Sequence, residues 1–209
     1  MTIGHTLGMQ LVLASSSVYR ARLLRAAGHD VVADAPEIDE RALDRWFVDR
    51  GAPALAVELA RRKAAAVAVR HPGDVVVAGD QVGVVATADG PVMLTKASTP
   101  AAAVAQLERL SGTTHELVNG LVLRHGDVEV SGVDVQRVTF RSLGRAEIEE
   151  YVDRFAPFDT SGSYRLEDDD ADGRGDPFVV GVEGEDASGV LGLPMPLFSR
   201  LLEQLCGST

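Results

Sequence analysis

Residues 11–24 read LVLASSSVYRARLL, and the fold turns on how that stretch is parsed. Met9 to Ala14 is an apolar run of strand length. Three serines follow, and after Arg20 the apolar residues return at helical spacing, with Ala21, Leu24 and Ala27 on one face and Arg22 and Arg25 on the other. A serine at the junction is a natural helix N-cap, and the unpaired amides of the first turn point outward from it. Partial positive charge gathers at that end, so strand, serine loop and helix together offer a seat for an anion. Arg20 adds a full charge and a planar fork of donors suited to phosphate. An ordinary helix start carrying a surface arginine fits the same residues, and the stretch alone leaves both readings open.

Length and composition bound the rest. Its 209 residues suffice for one domain, or a core with a small lobe, and a hydrophobic content of 45% is ordinary for a globular protein. No apolar run reaches the length of a membrane span, and the N-terminus lacks the basic and apolar regions of a signal peptide. The one cysteine, Cys206, has no intramolecular partner, which suits a reducing cytoplasm. A net charge of −11 argues against a nucleic-acid polymer or an anionic membrane as partner, but not against a small anion met by a few convergent basic groups. The five histidines show no metal-ligand spacing and read as surface or core residues.

Gly28 ends the first helix and Val31 to Ala33 starts a second strand. In Pro36-Glu37-Ile38-Asp39-Glu40, alternation along an extended chain puts Glu37 and Asp39 on one face, able to hold a divalent cation or to form a solvated acidic turn. From Pro53 to Val69 the spacing predicts a helix with Leu55, Ala56, Leu59, Ala60, Ala64 and Val67 inward. Lys63 lies beside that stripe, and Arg61 and Arg62 face solvent. Val75 to Ala78 is a continuous apolar run, expected of a strand covered on both faces; it ends in Gly79-Asp80-Gln81, and Val82 to Val85 continues apolar. A carboxylate in so apolar a segment is costly unless paired or bound to a cation, and α/β sheets place ligands at the carboxyl ends of strands. Farther on, Thr99-Pro100 opens a helix, His115–Arg124 and Val128–Thr139 form a hairpin with a polar face, and Ile148, Tyr151 and Val152 mark another helix. The acidic run from Glu167 to Asp176 imitates the first half of a calcium loop but has Val179 where the bidentate glutamate belongs. A strand from Phe178 to Val182 and a helix carrying Leu197, Leu201, Leu202 and Leu205 close the chain.

Taken in order, LASSSVYRARLL, PEIDE, ARRKA around Lys63, VVVAGDQV with Asp80 and Gln81, Lys96, LSGTTHE, SGSYRLE and GVLGLPMPLF resemble the Maf family of septum-formation-inhibitor-like nucleotide pyrophosphatases over nearly the whole chain. The resemblance implies one domain over residues 1–209 and an α/β fold like that of inosine-triphosphate pyrophosphatases. That fold would have a mixed sheet, flanking helices and two lobes around a central cleft. It implies hydrolysis of a nucleoside triphosphate to monophosphate and pyrophosphate with Mg2+ or Mn2+, in a cytoplasmic homodimer. By the same resemblance Ser15, Ser17 and Arg20 hold phosphates, Lys63 and Lys96 add positive charge, and Glu37 and Asp80 bind the metal. Asp80 is also the base for the attacking water. Tyr19 before Arg20, Gln81 after Asp80, and Glu167 resemble the 7-methyl-GTP branch rather than the dTTP/UTP branch. Two donors on guanine suit a carboxylate acceptor, and a cationic methylated base suits an aromatic face. Val18 and the acidic run depart from both branches. A nucleotide-binding regulator of septum formation is the reading from another class, against which the retained carboxylates and lysines speak.

Overall fold

The computed structural model describes residues 9–158, 160–165 and 178–207. Its elements run β1 (Leu11–Leu13), α1 (Val18–Ala26), β2 (Val31–Ala33), α2 (Arg45–Ala68), β3 (Val75–Thr87), β4 (Gly90–Leu94) and α3 (Pro100–Leu110). Then come β5 (Thr114–His125), β6 (Val128–Phe140), α4 (Arg145–Phe155), β7 (Val179–Glu183) and α5 (Met195–Gly207). Among the described residues the strands hydrogen-bond in the order β2-β1-β3-β5-β6-β7, with β4 paired to β3, so the sheet is mixed. The chain divides into two compact units, one from residues 1–81, 118–135 and 184–209, the other from 82–117 and 136–183.

In the first unit β1 runs parallel to both β2 and β3, Leu11 standing opposite Val31 on one side and Val75 on the other. Alternation along the strands then fills two layers. Val12, Ala14, Val76, Ala78 and Val122 pack on Ala60, Ala64 and Val67 of α2. Leu11, Leu13, Val75, Val77, Leu121 and Leu123 pack on Ala21 and Leu24 of α1 and on the leucine stripe of α5. Coverage on both faces is why these strands are apolar throughout rather than alternating. α2 begins earlier than the spacing from Pro53 predicts: a first segment from Arg45 meets the predicted helix at a kink, where Gly51 takes φ 80°, a conformation glycine adopts without strain. α1 ends before Gly28 as expected, though Ala27 is exposed rather than on its buried face. Its last residue is Ala26, and Gly28 turns at φ 85°.

In the second unit the far half of β3 pairs antiparallel with β4, Gly83 opposite Leu94. The strand therefore does not end at Gln81, and Asp80 sits in its middle. Thr99 accepts a hydrogen bond from the Ala102 amide and Pro100 starts α3, which buries Ala103, Val104, Leu107 and Leu110. α4 buries Ile148, Tyr151 and Val152. His115, Phe140 and Tyr164 meet edge to face, with the His115 Nε2 at 2.8 Å from the Tyr164 hydroxyl. The expected polar face of the β5–β6 hairpin is not found on β5, which buries Leu117 to Leu123 without a break. Helices cover both of its faces: Val122 packs on α2, and Leu121 and Leu123 pack with α1 and α5. The acidic run and its calcium-like pattern lie outside the described residues.

Two expected outcomes follow from this packing. A Cβ at Gly120 would stand 2.3 Å from the Ala56 carbonyl carbon, in backbone that cannot yield as a side chain does. Gly120→Ala should therefore cost about 3 kcal/mol or more in urea unfolding. Burial holds the His115 imidazole down to about 4, so the unfolded chain takes up its proton first as the pH falls. Stability is full above about 6.5 and is lost between about 6.5 and 4, by up to about 3 kcal/mol. Urea unfolding of His115→Gln should show a flatter pH profile across that window than the wild type.

Candidate active site

β1 stops at Leu13, and its last rung to β3 is the Ala14 amide on the Val77 carbonyl at 2.8 Å. β3 continues, so the next carbonyl on that side, Gly79, meets a side chain instead of a strand. The Arg20 Nη1 donates to it at 2.8 Å and to Ser15 Oγ at 3.2 Å, while Nε donates to the Gly192 carbonyl at 2.9 Å. Ser17 is the N-cap of α1, its hydroxyl accepting from the Arg20 amide, and its own amide donates to Ser15 Oγ at 3.1 Å. Two of the fork's three nitrogens are thus fastened. Nη2 has no partner among the described residues, nor do the first-turn amides of Val18 and Tyr19. A fixed guanidinium with free donors beside a helix N-terminus is an anion site. Burial pulls the Arg20 pKa below its ordinary value, opposed by the charges of Asp80 and Glu40. An arginine stays charged throughout.

The even-numbered residues of β3 face α2, and the buried stripe of that helix includes Lys63. Its ammonium lies 2.5 Å from Asp80 Oδ1 and 2.7 Å from Glu40 Oε1. Lys63 and Asp80 are 8% and 9% exposed, so neither charge is tolerable without the other. Burial pushes the Asp80 carboxyl upward, against the opposing pull of Lys63 and then of Arg20. A buried carboxylate with its proton affinity raised is placed as a base, and two cations limit how far it rises.

Of the residues read from sequence, the first unit brings Ser15, Ser17, Arg20, Lys63 and Asp80 into one connected set. Tyr19 is exposed beside Arg20. Glu37 and Asp39 are exposed, and the acidic side chain that reaches Lys63 is Glu40, which alternation passed over. The extended run ends there: Glu40 takes φ −66° and ψ −35° and opens the turn at Arg41–Leu43, so the two-residue period no longer applies to it. That turn preceding a helix was the signal available. Gln81 Nε2 donates to Asn119 Oδ1 and to the Gly189 and Val190 carbonyls, a network the sequence did not suggest. Lys96 belongs to the second unit, exposed, in a single bridge to Ser161. Glu167 lies outside the described residues.

The family model described as Maf-like protein matches residues 10–205. A dTTP/UTP pyrophosphatase of Symbiobacterium thermophilum is 39% identical over 196 residues, 93% of each chain. A 7-methyl-GTP pyrophosphatase of Bdellovibrio bacteriovorus is 33% identical over 195 residues, covering 93% of this chain and 96% of that one. Another 7-methyl-GTP pyrophosphatase, from Aromatoleum aromaticum, is 38% identical over 196 residues, 92% and 94%.

Gly192 tests the arginine's seat. It takes φ 84°, and a Cβ there would stand 3.1 Å from Arg20 Nη2. Gly192→Ala should lose about 1–2 kcal/mol of stability from the left-handed backbone. By displacing the guanidinium it should also weaken binding of inorganic pyrophosphate in calorimetric titrations.

Proposed function

The chain belongs to the Maf family, and we propose that the site in its first unit hydrolyses nucleoside triphosphates between the α and β phosphates, giving the monophosphate and pyrophosphate. The observation that carries this reading is Arg20, fastened through Nε and Nη1 with Nη2 left to donate, in electrostatic reach of the buried Lys63–Asp80 pair. Phosphate oxygens take Nη2 and the free amides of α1. Asp80 accepts the proton of the attacking water. Lys63 keeps that carboxylate oriented and offsets charge gathering on the departing pyrophosphate.

The donor set suits a hard divalent cation. Asp80 and Glu40 bring carboxylate oxygens to the same ammonium. A magnesium-class ion is commonly held by one or two carboxylates, with substrate phosphates and water completing the shell. We assign Asp80 as one ligand and Glu40 or Glu37 as the second. Bound there, Mg2+ or Mn2+ would supply Lewis-acid neutralisation of the phosphates.

For the base we propose 7-methylguanine, on the strength of the exposed Tyr19 ring next to Arg20. The 39% identity to a dTTP/UTP pyrophosphatase favours pyrimidines as the second reading. No helix among the described residues is long and apolar enough to cross a membrane. We propose that the enzyme acts in the cytoplasm as a homodimer.

Pyrophosphate release from 7-methyl-GTP, GTP, dTTP, UTP and CTP, with and without Mg2+ or Mn2+, tests the reaction, the metal and the base. Release should require the metal and be fastest with 7-methyl-GTP. Asp80→Asn should lower kcat by about 10²–10³-fold, the cost of removing one preorganised charged group. A dTTP or UTP preference would overturn the base assignment alone. Absence of release from every substrate by folded protein would overturn the reaction and favour a binding role in septum formation.

A further inference from the structure

Arg70 stands in the turn that closes α2, seven positions after Lys63, and all three nitrogens of its fork are engaged. Nε donates to Asp34 Oδ2 at 2.9 Å and Nη2 to Asp34 Oδ1 at 2.8 Å, with a further contact from Nη2 to the Ala35 carbonyl at 3.3 Å. Nη1 donates to the Ala66 carbonyl at 3.1 Å, one of the acceptors that a helix end leaves open. His71 Nε2 lies 2.9 Å from the same Asp34 Oδ2. A lone exposed ion pair would hold little, but a two-point arginine grip joined by a histidine is the geometry that holds. The Asp34 amide donates to the Leu13 carbonyl at 3.0 Å, one rung past the last residue of β2. Its backbone is thus fixed by the sheet and its carboxylate by the end of α2.

Asp34 is the root of the acidic segment that ends at Glu40, whose carboxylate meets the Lys63 ammonium. Among the described residues no backbone hydrogen bond holds Pro36 to Asp39. Extended, the chain from Asp34 to Glu40 reaches about 20 Å, against a rise of about 10 Å along α2 from Lys63 to Arg70. The segment has slack, so chain length alone does not put Glu40 at Lys63. Two exposed glutamates of the segment could take that place. Glu37 lies in the field of Arg70, whose pKa is raised first by the Asp34 hydrogen bond and also by the Glu37 charge. Glu40 instead reaches Lys63, and its charge is felt by Arg20.

We propose that Arg70 is a positioning residue for Glu40: gripping Asp34 at the far end of α2, it anchors the segment so that Glu40, and not Glu37, meets Lys63 beside Asp80. The inference rests on the reading above, in which a carboxylate of this segment joins Asp80 in holding the cation.

Mn2+ alone, titrated into nucleotide-free protein and followed by the paramagnetic resonance of the free ion, tests the placement. Its Kd is measured for the wild type, Arg70→Met, Glu40→Gln and the double variant. Loss of a positive charge by itself favours a cation, so weaker binding in Arg70→Met reports a misplaced carboxylate. Arg70→Met should weaken binding about tenfold, as loss of a group that orients a ligand does, and should have no further effect once Glu40 is replaced. Amide hydrogen exchange gives a second readout. Leu43 and Asp44, which donate to the Glu40 and Arg41 carbonyls, should exchange faster in Arg70→Met while β3 does not. An unchanged or tighter Kd, an equal loss in the Glu40→Gln background, or unchanged exchange at Leu43 and Asp44 would overturn the proposal. If circular dichroism shows Arg70→Met unfolded, Arg70→Lys, which keeps the charge but not the two-point grip, carries the same comparison. Failure of the wild type to bind Mn2+ would overturn the metal assignment made above and leave the exchange to decide the grip, faster exchange supporting it and unchanged exchange overturning it.

Discussion

The ion pair between Lys63 and Asp80 sets the terms for the first unit. Each charge is buried nine-tenths or more, in a layer otherwise made of valine and alanine. Desolvating either one alone would cost several kcal/mol, so α2 must lie on β3 at the height where ammonium meets carboxylate. Gly120 permits that approach, because the next strand has nothing but hydrogen where the α2 backbone passes. Glu40 completes the environment from the turn before α2, and it is the exposed, replaceable partner of the three. The arrangement gives up stability to keep a carboxylate and a cation dry together.

Arg20 is governed by a different constraint, the unequal length of two neighbouring strands. With β1 finished at Leu13 and β3 continuing, a carbonyl in the sheet is left for the guanidinium to satisfy. The Gly192 carbonyl and the Ser15 hydroxyl complete the clamp. The price of this fixity is low in entropy, since the planar fork loses little freedom per bond formed.

Much of this was legible in the residues. The strand, serine cap and helix at 11–26, the buried stripe of α2 and the Thr99-Pro100 start of α3 rest on local periodicity and capping, which a single sequence carries. Lys63 and Asp80 stood out because a charge in an apolar run demands a partner. Apart from Glu40, the failures share one cause, dependence on tertiary position. The mid-strand place of Asp80 depends on β4 pairing beyond it, and the buried faces of β5 depend on helices packed on both sides of the sheet. Glu40 was hidden by the assumption that an extended run stays extended. The Asp134–Asn119–Gln81 relay joins three strands, and no spacing along the chain encodes it.

The clamp on Arg20 spans 172 positions of sequence. Synthesis proceeds from the N-terminus at a pace slow beside local folding. While the ribosome adds those positions, the serine loop and its arginine are present and the Gly192 carbonyl has yet to be made. The nascent protein can close its β1–β3 layer but cannot aim its guanidinium. The arginine's seat can therefore be finished only after residue 192 has been synthesised, long after the serine loop that shares it.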